Sequence, residues 1–388
     1  MDFWLIFCYI CDMVYLDSAA TTPLLPEVSE AMREAETKFF ANASALHTPG
    51  HLARNVVESC RELLAEMVGC SPSEIIFTSG ASESNNTVIR TFEGHKIKTS
   101  PMEHHSILEA AKVYRGDEEP GLYSCMLANN ETGEFLEFFS GRVLPDLLLP
   151  HLASTRRGSP SRSVTRPCKA PYIHSDLTQV LGKIPIDVKK LRLDYATFSA
   201  HKIGGPVGVG ALYVREGAPF KPLVIGGLQE NGRRGGTYNT VGIAGFKKAL
   251  ELVKDRGDFE IYDTNVRKLR DILAERILRE IPGSSLNTDV QKDKSLPNIL
   301  NASFRAAEGE SIQLYLDAEG IIVSTGSACA AGDTKPSHVL MAKTGDAEVA
   351  HSSIRFSFGI DNSMEDVEKV MEVLPGIVDR LQKISTIS

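Results

Sequence analysis

The run Ile75-Ile76-Phe77-Thr78-Ser79-Gly80-Ala81-Ser82-Glu83-Ser84-Asn85-Asn86 changes character in its middle. Its first four residues are apolar or β-branched, and the run is too short for a helix, so they read as a buried strand. Gly80 and its serines break that strand and open a helix. Upstream, apolar residues fall at 56, 57, 60, 63, 64, 67 and 68, an amphipathic helical stripe that stops at Gly69. Short apolar runs recur at Tyr172-Ile173-His174-Ser175, Tyr195-Ala196-Thr197-Phe198 and Ala211-Leu212-Tyr213-Val214. Helices alternating with such strands predict an α/β layered sheet buried on both faces. Towards the C-terminus the pattern turns helical, with stripes at 262, 266, 269, 272, 273, 277 and at 367, 370, 371, 374, 377, 378, 381. A large α/β domain followed by a smaller α+β domain fits, joined near 240–260.

The chain has 388 residues, 42% of them hydrophobic and 24% charged, which excludes global disorder. Its formal charge of −8 gives no footprint for a nucleic-acid or membrane-surface partner, and points to a small molecule or another protein. Seven cysteines, an odd number spread over a long chain, argue for a reducing compartment; one of them is a candidate reactive thiol. The apolar start, Phe3 to Ile10, is too short to span a bilayer, and no basic residue precedes Arg33, so the expected address is cytoplasmic. Residues 154–169, rich in Arg, Ser and Pro and without apolar period, read as a flexible loop or disordered insert.

Four constellations carry chemistry. A helix N-terminus at Ala81-Ser82 can bind phosphate through unpaired N–H groups, or can be an ordinary capped helix. Lys202 stands between a buried strand and the Gly204–Gly210 turn, at the carboxyl edge where α/β sheets bind ligands; partly desolvated, it can form a Schiff base. Asp176, at the end of another apolar strand, can hold a pyridinium N–H or can cap the next helix. Cys329 lies in the small-residue run Gly326-Ser327-Ala328-Cys329-Ala330-Ala331-Gly332, which suits an accessible nucleophilic thiol, and Arg355 on a strand-like alternation can clamp a carboxylate. Glu103-His104 and Asn129-Asn130 add polar groups. Cys8-x-x-Cys11 lacks a second ligand pair, so no metal is expected.

Together these segments resemble the class V aminotransferase-fold enzymes of the cysteine desulfurase (NifS-like) and selenocysteine lyase family. The matching pieces run in family order: Tyr15-Leu16-Asp17-Ser18-Ala19-Ala20-Thr21-Thr22-Pro23, Phe77 to Asn85, Glu103-His104, Asn129-Asn130-Glu131-Thr132-Gly133, His174 to Gln179, Ser199-Ala200-His201-Lys202, Arg234-Gly235-Gly236-Thr237, Gly326 to Cys329 and Ser352 to Ser357. The resemblance implies fold type I, with a large domain over 25–257 on a mainly parallel seven-stranded sheet and a small domain over 258–388 joined by residues 1–24. It implies pyridoxal 5'-phosphate on Lys202, with His104 stacked on the ring, Asp176 on the pyridine nitrogen, and Gln179 and Asn130 at the phenolic oxygen and substrate side. Ala81, Ser82, Ser199 and His201 would hold the phosphate with Thr237 of a second subunit, which implies a homodimer. Arg355 would fix the carboxylate of L-cysteine, or of selenocysteine, and Cys329 would take the sulfur and pass it to a scaffold or carrier protein.

Three departures stand out. Only 25 residues separate His104 from Asn130, where the family carries one more strand and helix, so the sheet is expected to be one strand short, and a catalytically impaired family member acting as a binding protein is the alternative to an active enzyme. The stretch after Gly133 is long, and the family's Asn-Pro-Ser-Ser-x-His signature stands as Asn42-Ala43-Ser44-Ala45-Leu46-His47.

Overall fold

The computed structural model describes residues 13–136, 171–326 and 336–385. Cys329 and the insert at 154–169 lie outside the described residues. The chain divides into two units, Pro23–Ala128 with Leu136–Phe259, and the chain up to Thr22 with Asn129–Phe135 and the chain from Glu260 onward. The strip Asn129–Phe135, inside the range 25–257 in sequence, thus counts with the C-terminal unit.

In the first unit six strands form one sheet, in the order Ile75–Thr78, Gly210–Val214, Tyr195–Ser199, Tyr172–Asp176, Glu118–Ser124, His95–Thr99. The last four run parallel, while Gly210–Val214 is antiparallel to both of its neighbours. Every residue of Ile75–Thr78, Tyr195–Ser199 and Gly210–Val214 is buried, which is why these strands read as apolar runs. His95–Thr99, at the edge, instead alternates, with Lys96 and Lys98 exposed; charged edge residues oppose pairing with another chain. The helix Thr48–Val68 ends as the stripe predicts, at Gly69 in a left-handed conformation with φ 75°.

Among the described residues this sheet has six strands. The shortened segment closes as a strand, helix, strand crossover: His95–Thr99, the helix His105–Tyr114, then Glu118–Ser124 beside the first strand. Three residues make the return. Gly116 donates to His95 O at 2.7 Å and a side chain there would collide with Gly94 O, so the tight turn requires glycine. Leu122–Ser124 pair with Tyr172–His174, and His174–Asp176 pair in turn with Tyr195–Thr197.

The second unit holds a three-stranded antiparallel sheet, Ser353–Ser357, Ile299–Phe304, Ser284–Leu286, and a parallel pair, Val14–Tyr15 with Ile321–Ile322. The helices Arg267–Glu280, Gly309–Ala318 and Met364–Ile384 pack on it, with Leu273, Ile277, Phe304, Ile312, Phe356 and Val370 fully buried. Each such side chain contributes about 1.5–3 kcal/mol. The strip 129–135 is sewn in through Phe135 N to Lys294 O and Leu296 N to Gly133 O, both 2.8 Å. Among the described residues no helix is long and apolar enough to cross a membrane.

Candidate active site

In the first unit, the parallel strands Tyr172–Asp176 and Tyr195–Ser199 deliver Asp176 and Ser199 to one sheet edge. Gly210, opening the antiparallel strand, pairs with both Ser199 and Thr78 and brings the Gly80 turn to the same edge. A Cβ on Gly210 would stand 2.7 Å from Gly80 Cα, and Gly80 itself has φ 148°, so both positions require glycine. Gly80 precedes the helix Ala81–Thr91 and offers no side chain to cap it. The first N–H groups of that helix therefore face outward beside Ser82, an arrangement suited to an anion.

Asp176 is buried, and its Oδ1 accepts the Thr178 N–H at 2.9 Å. Its Oδ2 accepts from Asn85 Nδ2 at 2.8 Å. The same amide donates to Ser106 Oγ at 2.9 Å, and Ser106 Oγ stands 2.8 Å from His104 Nδ1. His104 caps the helix His105–Tyr114, with Nδ1 accepting from Ser106 N at 3.1 Å. Accepting there leaves the neutral ring's proton on Nε2. Four residues from three elements thus form one hydrogen-bonded line. Behind it, Glu103 accepts from Met126 N at 2.7 Å, and burial, reinforced by the Asp176 charge, pushes its carboxyl well above the usual range.

Lys202 closes a short turn, Ala200–Lys202, and is buried. Lys183, also buried, donates to the Lys202 carbonyl at 3.4 Å; burial and then the Lys202 charge push its amine down to about 7. Burial, then the charges of Lys202 and Lys183, pulls His201 down to about 4, so its imidazole is neutral at pH 7 and acts as a hydrogen-bonding group rather than a cation. Gln179 is buried one turn beyond Asp176.

Thr237 is exposed and lines a cleft of about 180 Å³ with Thr78, Ser79, Gly208 and Arg234. Two ion pairs fix its loop. Arg234 grips Glu83 at 3.0 and 3.2 Å, and Ser79 N donates to the same carboxylate at 2.8 Å. Burial works against the Glu83 carboxylate, but these partners hold it below its ordinary value. Buried Arg61 meets buried Glu230 through two bonds of 2.8 Å, reaches Ile75 O at 2.7 Å and lies 4.9 Å from the Phe77 ring centre.

In the second unit Arg355 is buried on the strand Ser353–Ser357. It donates to Asp17 Oδ1 at 2.7 Å and to Asn130 O at 2.9 Å, which brings Asn130 and Arg355 together. Its Nε is buried with no hydrogen-bond partner among the described residues, a donor available to a ligand carboxylate. Of the described cysteines, burial pushes Cys70 and Cys125 up to about 12 and Cys60 higher still, so none is a ready nucleophile.

Asn85, Ser106 and Lys183 are the residues that sequence reasoning did not single out. Asn85 lay inside a quoted motif, yet its partners are 21 and 91 positions away. For Lys183 the only signal was a lysine in an otherwise apolar run, Val180-Leu181-Gly182-Lys183-Ile184.

The class-V aminotransferase family model matches residues 14–132 and 160–370. This defines the class, and the sheet with its edge cluster is the pyridoxal-phosphate fold type I. The chain is similar to the cysteine desulfurase IscS of Dictyoglomus turgidum, 40% identical over 96% of each chain, and to that of Methanosarcina thermophila, 36% identical over 97% of this chain and 94% of the other. A solved NifS-like protein shares 32% identity with a TM-score of 0.76, covering 96% of this chain and 99% of that one. The chain belongs to the class-V aminotransferase family, among its cysteine desulfurases.

Proposed function

We propose that the protein is a cytoplasmic, homodimeric cysteine desulfurase that takes sulfur from L-cysteine onto Cys329 with the help of pyridoxal phosphate. The line Asp176–Asn85–Ser106–His104, with buried Lys202 in the same unit, carries the reading. The cofactor fits this donor set. A buried amine, a buried carboxylate held by two donors, and an uncapped helix N-terminus match its aldehyde, ring nitrogen and phosphate. Beside them Thr178 Oγ1 is buried without a hydrogen-bond partner among the described residues. When bound, the cofactor supplies an electron sink that labilises the bonds at the α-carbon of an amino acid.

The protein's residues do the rest. Lys202 would hold the cofactor, and its amine would serve as the base for the α-proton. Asp176 would hold the ring nitrogen, His104 would hold the ring, and Gln179 and Asn130 would hold the phenolic oxygen and orient the substrate. The backbone of Ala81, with Ser82, Ser199, neutral His201 and the Thr237 of a second subunit, would hold the phosphate. Arg355 offers its Nε to the substrate carboxylate. The Cys329 thiolate attacks the substrate sulfur; the carbon–sulfur bond breaks as the sulfur–sulfur bond forms, and the carbon skeleton leaves as alanine. The persulfide then passes to an acceptor protein. The reducing address follows from the odd cysteine count.

Turnover of L-cysteine and of selenocysteine by the wild type and by Cys329→Ala tests the assignment. Loss of cysteine turnover in the variant is expected. Full cysteine turnover without the thiol overturns the persulfide step, and exclusive turnover of selenocysteine by the wild type makes the protein a lyase instead.

A further inference from the structure

In the second unit, the turn Asn129-Asn130-Glu131-Thr132-Gly133 is built by one side chain: Asn129 Oδ1 accepts the N–H groups of Glu131 at 2.8 Å and Thr132 at 3.0 Å. That turn directs the Glu131 carboxylate inward, where it is 3% exposed. Ser337 Oγ donates to Glu131 Oε2 at 2.5 Å, and the same hydroxyl accepts the Leu340 N–H at 3.1 Å, capping the helix His338–Thr344. Gly326 approaches from the other side. A Cβ there would run into Glu131 Oε2 and stand 2.8 Å from Ser337 Cβ.

These two neighbours flank residues 327–335. The upstream end is also tied to Arg355, since Ser324 and Arg355 exchange backbone bonds of 2.7 and 3.2 Å. The downstream helix has a second strap to the same strip, the ion pair of Lys343 with Glu134.

A buried carboxylate is costly unless well bonded, and a turn alone does not call for one. We propose that Glu131 is a positioning residue: its carboxylate draws together Gly326 and Ser337, the two ends of the segment that carries Cys329, and so sets where the thiol reaches. The proposal rests on the assignment of Cys329 as sulfur acceptor and adds the device that aims it. A nucleophile whose approach is restricted in advance attacks at a higher effective concentration. Burial pushes the Glu131 carboxyl up to about 7, against the Ser337 bond and the Arg355 charge, so the site has been built around an acid at some expense.

The test uses the full-length, cofactor-loaded enzyme. Steady-state kinetics on L-cysteine give kcat and KM, and iodoacetamide labelling of Cys329, followed by mass spectrometry, gives the accessibility of the thiol without turnover. Glu131→Ala is expected to lower kcat about tenfold with KM within about twofold, and to speed alkylation at least about threefold. Glu131→Gln, which keeps an acceptor for Ser337, is expected to recover most of kcat.

Wild-type kcat and labelling in Glu131→Ala overturn the proposal, as does a Gln variant as poor as the Ala one. Should Glu131→Ala fail to fold, Gly326→Ala sets a methyl group against both the Glu131 carboxylate and Ser337 and so disturbs the same contact, and the same pattern is expected; unchanged kcat and labelling there overturn the proposal equally. The two levels fail separately. Persulfide found on a residue other than Cys329 in the wild type removes the functional reading, whereas persulfide on Cys329 with insensitive Glu131 and Gly326 variants removes only the positioning role.

Discussion

Asn85 Nδ2 donates to Asp176 Oδ2 at 2.8 Å, and through Ser106 the same amide is linked to His104. The residue proposed for the cofactor's pyridine nitrogen and the one proposed for its ring face are therefore parts of one network. Hydrogen bonds to a charged group are worth about 1.5–3 kcal/mol. Asn85→Ala is expected to weaken pyridoxal phosphate binding about tenfold or more, measured by absorbance titration of the apoprotein. Wild-type affinity would show that the amide only holds the helix in place.

Asp176→Asn keeps the shape but removes the charge that stabilises a protonated ring nitrogen. Expected are retained cofactor colour and a loss of kcat of about a hundredfold or more. Stopped-flow spectra with L-cysteine check which step slows, and unchanged kcat contradicts the role given to Asp176.

The Arg61–Glu230 pair ties the loop that carries Thr237 to the strand Ile75–Thr78. Burial works to lower the Arg61 guanidinium, and its acidic partners more than reverse this. Removing one member of a buried pair typically costs about 3–5 kcal/mol because the other charge is left alone. Glu230→Ala is accordingly expected to lower the free energy of unfolding by that amount, read from equilibrium urea unfolding with the cofactor present.

His174 lies fully buried, 2.9 Å from Ser124 Oγ and 3.1 Å from Thr197 Oγ1. Burial pulls it down to about 4, opposed by the Asp176 charge. A histidine depressed in the folded state stabilises above its unfolded pKa of about 6.5, and that stability is lost as pH falls through the folded value. The raised carboxyls Glu103 and Glu131 act with the opposite sign, so the comparison must be with a variant. Between about pH 7 and pH 4 the Tm of the wild type should fall more steeply than that of His174→Gln. Parallel curves would contradict the assignment.

Legibility in the sequence followed burial. Ile75–Thr78 and Tyr195–Ser199 are wholly enclosed, so their composition alone marks them, and Gly69 marks the helix end before them. Glu118–Ser124, Glu-Glu-Pro-Gly-Leu-Tyr-Ser, carries no apolar run to mark it, and becomes a strand because ladders on both sides supply the pairing its own propensities do not. His95–Thr99 is masked in the same way by the lysines that suit an edge. In the site, Lys202, Asp176 and Arg355 were legible as charges in apolar surroundings. Asn85 and Ser106 were not, because a neutral amide and a hydroxyl have no distinctive pattern until folding brings their partners from distant positions.

The central claim is most directly tested by a single turnover of L-cysteine on the cofactor-loaded protein, quenched with an alkylating agent and mapped by tandem mass spectrometry. The account predicts a persulfide on Cys329 in proportion to the alanine released. Alanine without persulfide at Cys329, or neither product from a protein that has bound pyridoxal phosphate, would contradict it.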